Sequence, residues 1–120
     1  AIEPRSPGFV ADYFTTAERA FMAAAPQEQH PTLANAIWSG KEAALKAIRR
    51  GLAEDTRLVT CLPSPNDIGD GWRELIYRWE VNDRDLPALG GRWRETEGYV
   101  MTLATTGSLP NLDTGRGAPV

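Results

Sequence analysis

Glu42 and Lys46 stand four residues apart, the spacing that puts two side chains on one face of an α-helix. A carboxylate so placed can accept a proton from a nucleophile or hold a hard cation through oxygen. An ammonium beside it can stabilise charge on a phosphate. The same spacing also serves a solvated Glu–Lys pair that only supports its helix, so the pair alone leaves both readings open. Lys41 adds weight to the chemical one. At about 100° per residue it falls in the middle of an apolar stripe formed by Ile37, Ala44, Leu45 and Ile48. A lysine there must snorkel to the stripe's edge or meet an anion, because an unpaired buried charge is costly. Ile37 and Leu45 occupy the positions four residues away, so no acidic neighbour stands there, and snorkelling and contact with an anion such as a phosphate both stay open.

The elements that carry these residues follow from periodicity and punctuation. Two prolines break the opening, and Phe9, Val10 and Tyr13 suggest a short helical piece. Thr15 and Glu18 form a capping box ahead of an Ala-rich helix that Pro26 stops. Pro31 suits the first turn of the next helix, whose stripe runs from Leu33 to Ile48, about five turns, with Gly51 as its C-cap. Beyond Gly51 the period changes. Residues 57–62 are β-prone, 63–71 read as loop, and 73–80 alternate as a strand with Leu75, Tyr77 and Trp79 on one face. Residues 92–94 and 99–104 form a hairpin turned at Thr96-Glu97-Gly98. The expected architecture is α+β, with helices packed on a small antiparallel sheet. The domain should fill residues 1–105, with 106–120 a loose tail.

Composition narrows the classes. The chain has 120 residues and a formal net charge of −3, which argues against a dedicated nucleic-acid binder. A single cysteine, Cys61, rules out an internal disulfide framework and a cysteine-rich zinc site. It reads as an inert buried thiol. His30, the one histidine, precedes a proline at a helix start and has no companion ligands. Trp38, Trp72, Trp79 and Trp93 read as packing groups. No apolar run approaches the ~20 residues of a membrane span and no secretory leader is visible, so a cytoplasmic location is expected.

One segment carries a resemblance. Trp38-Ser39-Gly40-Lys41-Glu42-Ala43-Ala44-Leu45-Lys46-Ala47 resembles the W-x-x-K-E-A-x-x-K-A signature of Sfp-type 4′-phosphopantetheinyl transferases. Phe14-Thr15-Thr16-Ala17-Glu18 resembles the F-[ST]-x-x-E element upstream of it. Gly51-Leu52-Ala53-Glu54-Asp55-Thr56-Arg57 resembles the G-L-x-x-D-T-R continuation of a bacterial branch. Gly71-Trp72-Arg73, Gly91-Arg92-Trp93-Arg94 and Gly98-Tyr99-Val100-Met101-Thr102-Leu103-Ala104 resemble the closing strands, in order.

The resemblance implies one half, the C-terminal catalytic half, of a two-half α+β fold whose active site lies between halves or subunits. It implies Mg²⁺-dependent transfer of 4′-phosphopantetheine from coenzyme A, the co-substrate, to a serine of an apo acyl- or peptidyl-carrier protein. Such transfer serves fatty acid, polyketide or nonribosomal peptide biosynthesis. In these terms Glu42 is a metal ligand and candidate base, Lys46 stabilises or protonates the leaving phosphate oxygen, and Lys41 and Lys46 contact coenzyme A. Arg49 and Arg50 could reach coenzyme A phosphates or an acidic carrier surface, though solvated helix-end charge is their default reading. The expected partners are the carrier protein, coenzyme A, and the other half of the enzyme or another copy. The family's D-x-E metal motif is not in place. Spacing from Pro4 and Phe14 puts its Glu just before Ala1 and its Asp two residues earlier, while a second register reads Ala1-Ile2-Glu3 with Ala in the Asp position. The isolated chain should then be nearly inactive. A non-catalytic carrier-docking module of the same fold is the competing reading.

Overall fold

Ser6 begins the first helix by accepting a hydrogen bond from the Phe9 amide (3.1 Å), and Pro7 fills the first turn of α1 (Pro7–Tyr13). Thr15 and Glu18 close the expected capping box at the head of α2 (Thr16–Ala24). A 3₁₀ turn at Gln27–Gln29 leads into α3 (His30–Ala47), with Pro31 in its first turn. The computed structural model describes residues 5–48, 56–81 and 86–106. The expected C-cap Gly51, the residues Arg49 and Arg50, the segment 51–55, Ala1-Ile2-Glu3 and all of the tail except Thr106 lie outside them.

Four strands follow: β1 (Val59–Gly69), β2 (Trp72–Trp79), β3 (Leu89–Thr96) and β4 (Tyr99–Thr106). They form one antiparallel sheet in sequence order. Over the described residues the fold is therefore α+β, three helices packed against a four-stranded antiparallel sheet, consistent with one half of the fold expected above. α3 touches β1, β3 and β4, and Leu75 and Tyr77 reach it from β2, so the sheet curls around this helix. The core forms where Leu33 and Ala36 of α3 meet Cys61, Leu75 and Trp93.

One expectation fails in the sheet. Residues 63–71 do not form a loop, because β1 runs through Pro63 and Pro65 as far as Gly69. β1 is an edge strand, and the Leu58 carbonyl accepts from the Glu80 amide (2.7 Å) on the β2 side. Backbone groups alternate sides along a strand, so those of Val59, Cys61 and Pro63 point to the free edge. A proline there removes no ladder hydrogen bond. The strand turns at Asp70-Gly71, both with positive φ (56° and 79°), the pattern of a two-residue hairpin. Glu97-Gly98 repeats it between β3 and β4, with φ of 52° and 79°, one residue shorter than the expected turn.

Candidate functional site

Lys41 lies where the periodicity placed it, inside the buried stripe of α3 with Ile37, Ala44 and Leu45. The anion it meets is not a phosphate. Its Nζ donates to Glu18 Oε1 (2.7 Å) and Oε2 (2.9 Å) and to the Val59 carbonyl (2.6 Å), and both charged side chains have 0% exposure. Glu18 is completed by two backbone donors, the amides of Thr15 (2.8 Å) and Cys61 (2.7 Å). The pair thus caps the free edge of β1, with Lys41 taking the Val59 carbonyl and Glu18 taking the Cys61 amide, as a neighbouring strand would. The coenzyme A contact expected of Lys41 is corrected accordingly: a fully buried ammonium with its acceptors in place has no donor to turn to a ligand. Sequence reasoning looked for the neutralising charge along α3, whereas it comes from α2, 23 residues earlier.

The pair is part of a longer polar chain. Thr15 Oγ1 accepts from the Glu18 amide and bonds Thr60 Oγ1 (2.8 Å), which in turn donates to Glu80 Oε2 at the surface. Burial pushes the Glu18 carboxyl up from its ordinary value, while Lys41 and the two amides pull against that rise. The Cys61 thiol is pushed up by burial and then by the nearby Glu18 charge. It is the inert buried thiol expected from sequence. A Cβ on Gly40 would run into Cys61 Sγ, and the Tyr77 hydroxyl donates to the Gly40 carbonyl (2.7 Å). α3 therefore lies close against the sheet at the residue before Lys41.

Glu42 and Lys46 stand on the opposite side of the helix from this contact. Glu42 is half-buried and Lys46 exposed. Among the described residues neither makes a hydrogen bond or ion pair, with each other or with any other group. They line up with Trp38 at intervals of four. Trp38 packs edge-on against Phe9 (5.0 Å between ring centroids) and Tyr13 (5.4 Å) of α1. Two turns before Glu42, Asn35 accepts from Arg5 (3.1 Å), which brings the segment ahead of α1 onto the same side of α3. From Asn35 to Glu42 is about 10 Å along the axis. The arrangement offers one hard oxygen donor and one cation, both unspent, on an open helix face.

The remaining candidates are structural. His30 Nε2 lies 3.1 Å from the Ala25 carbonyl at the start of α3. Trp93 is core, and its Nε1 donates to the Ser64 carbonyl (3.0 Å). Trp79 Nε1 donates to the Pro87 carbonyl (2.7 Å), and Arg92 and Arg94 stack over Trp72. Among the described residues no group of three or more His, Cys, Asp or Glu could hold a metal ion. A cavity of about 390 Å³ between Arg5, Val10, Met22 and Pro31, and another of about 690 Å³ beside Arg19, Arg57 and Arg78, both lie away from Glu42 and Lys46.

Neither the curated proteins nor the solved structures gave a match. The family comparison did, over residues 1–104, a stretch that contains every helix described, the whole of the Glu18–Lys41 network and both unspent groups on α3. On that match the chain belongs to the 4′-phosphopantetheinyl transferase superfamily.

Proposed function

We propose that this chain supplies catalytic groups for the Mg²⁺-dependent transfer of 4′-phosphopantetheine from coenzyme A to a serine of an apo acyl- or peptidyl-carrier protein. The observation that supports it best is that, among the described residues, Glu42 and Lys46 are unspent and share the open face of α3, while Lys41, just before Glu42, is wholly occupied inside. In the proposed reaction the serine Oγ bonds to the β-phosphorus of coenzyme A, the bond to the bridging oxygen breaks, and 3′,5′-ADP leaves. Glu42 takes the serine proton, directly or through a water. Lys46 stabilises the leaving phosphate oxygen or protonates it. Mg²⁺, when bound, neutralises charge on the pyrophosphate. The donor chemistry fits: Mg²⁺ takes one or two protein carboxylates together with substrate phosphate oxygens, and Glu42 is one such carboxylate, with no ion pair among the described residues.

The outer face of the sheet supports a partner half or a second copy. Ile76, Tyr99, Met101 and Leu103 are 45%, 57%, 48% and 51% exposed, and register puts Leu103 opposite Arg92 and Met101 opposite Arg94, away from α3. Apolar exposure of this extent on one face marks an interaction surface. Among the described residues no helix is long and apolar enough to cross a membrane. A cytoplasmic site, where coenzyme A and carrier proteins meet, belongs to the same proposal.

Mass spectrometry of an apo carrier incubated with coenzyme A, Mg²⁺ and the intact protein tests this. The carrier should gain the phosphopantetheine mass, and EDTA should abolish the gain. Glu42→Gln and Lys46→Ala should each lower turnover by about 100-fold or more with unchanged melting. Carrier binding without any mass gain, on several apo carriers, would favour the non-catalytic docking module.

A further inference from the structure

We infer that the Glu18–Lys41 pair is a positioning device: it fixes the rotation and register of α3 and so sets where Glu42 and Lys46 stand. What those two groups do rests on the functional reading above, whereas how they are held rests on geometry alone.

The buried face of α3 is built largely from small residues. Ala34, Ala36, Gly40 and Ala44 alternate with Leu33, Ile37 and Leu45. Small side chains let α3 approach the sheet closely, as at Gly40 against Cys61 and Tyr77, but give few ridges to set its rotation. Lys41 differs in kind. Its Nζ is bonded to a carboxylate on α2 and to a backbone carbonyl of β1, and that carboxylate is itself bonded to the next free-edge amide of β1. These contacts have direction, and they tie the helix to the sheet through main-chain atoms that side-chain repacking does not move. An apolar pair of similar volume would fill the same space and remove both charges, though it would leave the Val59 carbonyl and the Thr15 and Cys61 amides without these partners. What it does not supply is direction.

Glu42 follows Lys41 directly, about 100° around the helix. A side-chain tip about 6 Å from the axis moves about 2 Å for a 20° turn. A displacement of 1 Å at a reacting centre can cost about 100-fold in rate. Displacing groups that orient a metal ligand costs about 10- to 100-fold in metal affinity.

The test replaces the pair by Glu18→Leu with Lys41→Met in the intact protein. Two readouts are followed: the Mg²⁺ concentration that half-saturates transfer, and the ¹⁹F spectrum of 5-fluorotryptophan at Trp38, assigned with Trp38→Phe. Trp38 sits one turn before Glu42, against Phe9 and Tyr13, and reports the rotation of α3 without any turnover. The expected result is a cooperative melt at a lower midpoint, because the Val59 carbonyl and the Thr15 and Cys61 amides lose these side-chain partners, together with about a tenfold rise in half-saturating Mg²⁺ and a shifted or split Trp38 resonance. A mere loss of folded protein lowers the amplitude of transfer and leaves its Mg²⁺ midpoint in place. Should the double variant not fold, Glu18→Asp keeps the charge and withdraws the carboxylate by one methylene, and it should move both readouts in the same direction by less. An unchanged Mg²⁺ midpoint with a single unshifted Trp38 resonance in a folded variant would overturn the inference. If the wild-type protein transfers nothing, the functional reading falls and the Trp38 resonance alone decides this one.

Discussion

Lys41→Met removes the ammonium and leaves its partners in place. Glu18 then keeps the Thr15 and Cys61 amides but loses its Lys41 partner at 0% exposure, and the Val59 carbonyl loses its Lys41 donor at the free edge of β1. Breaking a buried pair from one side costs about 3–5 kcal/mol. An orphaned carbonyl on its own costs about 1–3 kcal/mol, part of which that range already contains. The expected loss is therefore about 4 kcal/mol, set against a total stability of about 5–15 kcal/mol for a domain. Urea melts followed by tryptophan fluorescence measure it directly. The companion double variant with Glu18→Leu removes the unpaired charge but leaves the Val59 carbonyl and the Thr15 and Cys61 amides without these partners, so it should recover only part of the loss, and the cycle of four proteins should return a large coupling energy. The pH dependence carries a sign. In Lys41→Met the Lys41 charge no longer opposes the upward push of burial on Glu18, so its folded carboxyl lies further above its unfolded one. The variant is then most stable below the unfolded value and loses stability as pH rises through the folded one. A single-variant loss under 1 kcal/mol, or a loss that shrinks as pH rises from about 5 to 7, would refute the reasoning.

Cys61 should resist alkylation in the folded protein and react at the unfolding rate in denaturant, because burial and the Glu18 charge hold its thiol protonated; rapid labelling of the native chain would contradict this. Glu80 is held below the usual carboxylate range by the Thr60 hydroxyl first and by Arg78 as well. Its small contribution to stability is present above the unfolded value and lost as pH falls through the folded one. Thr60→Val should therefore bring its titration, followed by carboxyl NMR, back up toward the ordinary range, and an unmoved titration would count against the Thr60 bond.

Much of the fold could be read because its signals are local. The capping box at Thr15, the proline at the head of α3 and the period of its stripe each involve residues within a few positions of one another, and the structure has them as expected. β1 escaped because Pro63 and Pro65 mark a loop in isolation. Only the sheet order shows that the strand lies at an edge, where Pro63 costs the ladder nothing. The Asp70-Gly71 pair before the alternating run of β2 was the available hint of a hairpin.

The site divides along the same line. Glu42 and Lys46 could be placed on one face of a helix from their spacing, and the structure leaves both unspent. That Lys41 must either snorkel out or meet an anion was equally legible, since it lies amid Ile37, Ala44 and Leu45. Which anion was not, because the answer is a tertiary contact. Two residues of the W-x-x-K-E-A-x-x-K segment that adjoin in sequence thus have opposite fates. Lys41 turns inward to Glu18 and the edge of β1, and Glu42 turns outward, free to act. The F-[ST]-x-x-E element and the helix motif, which read as separate marks of one family, are two ends of a single ion pair.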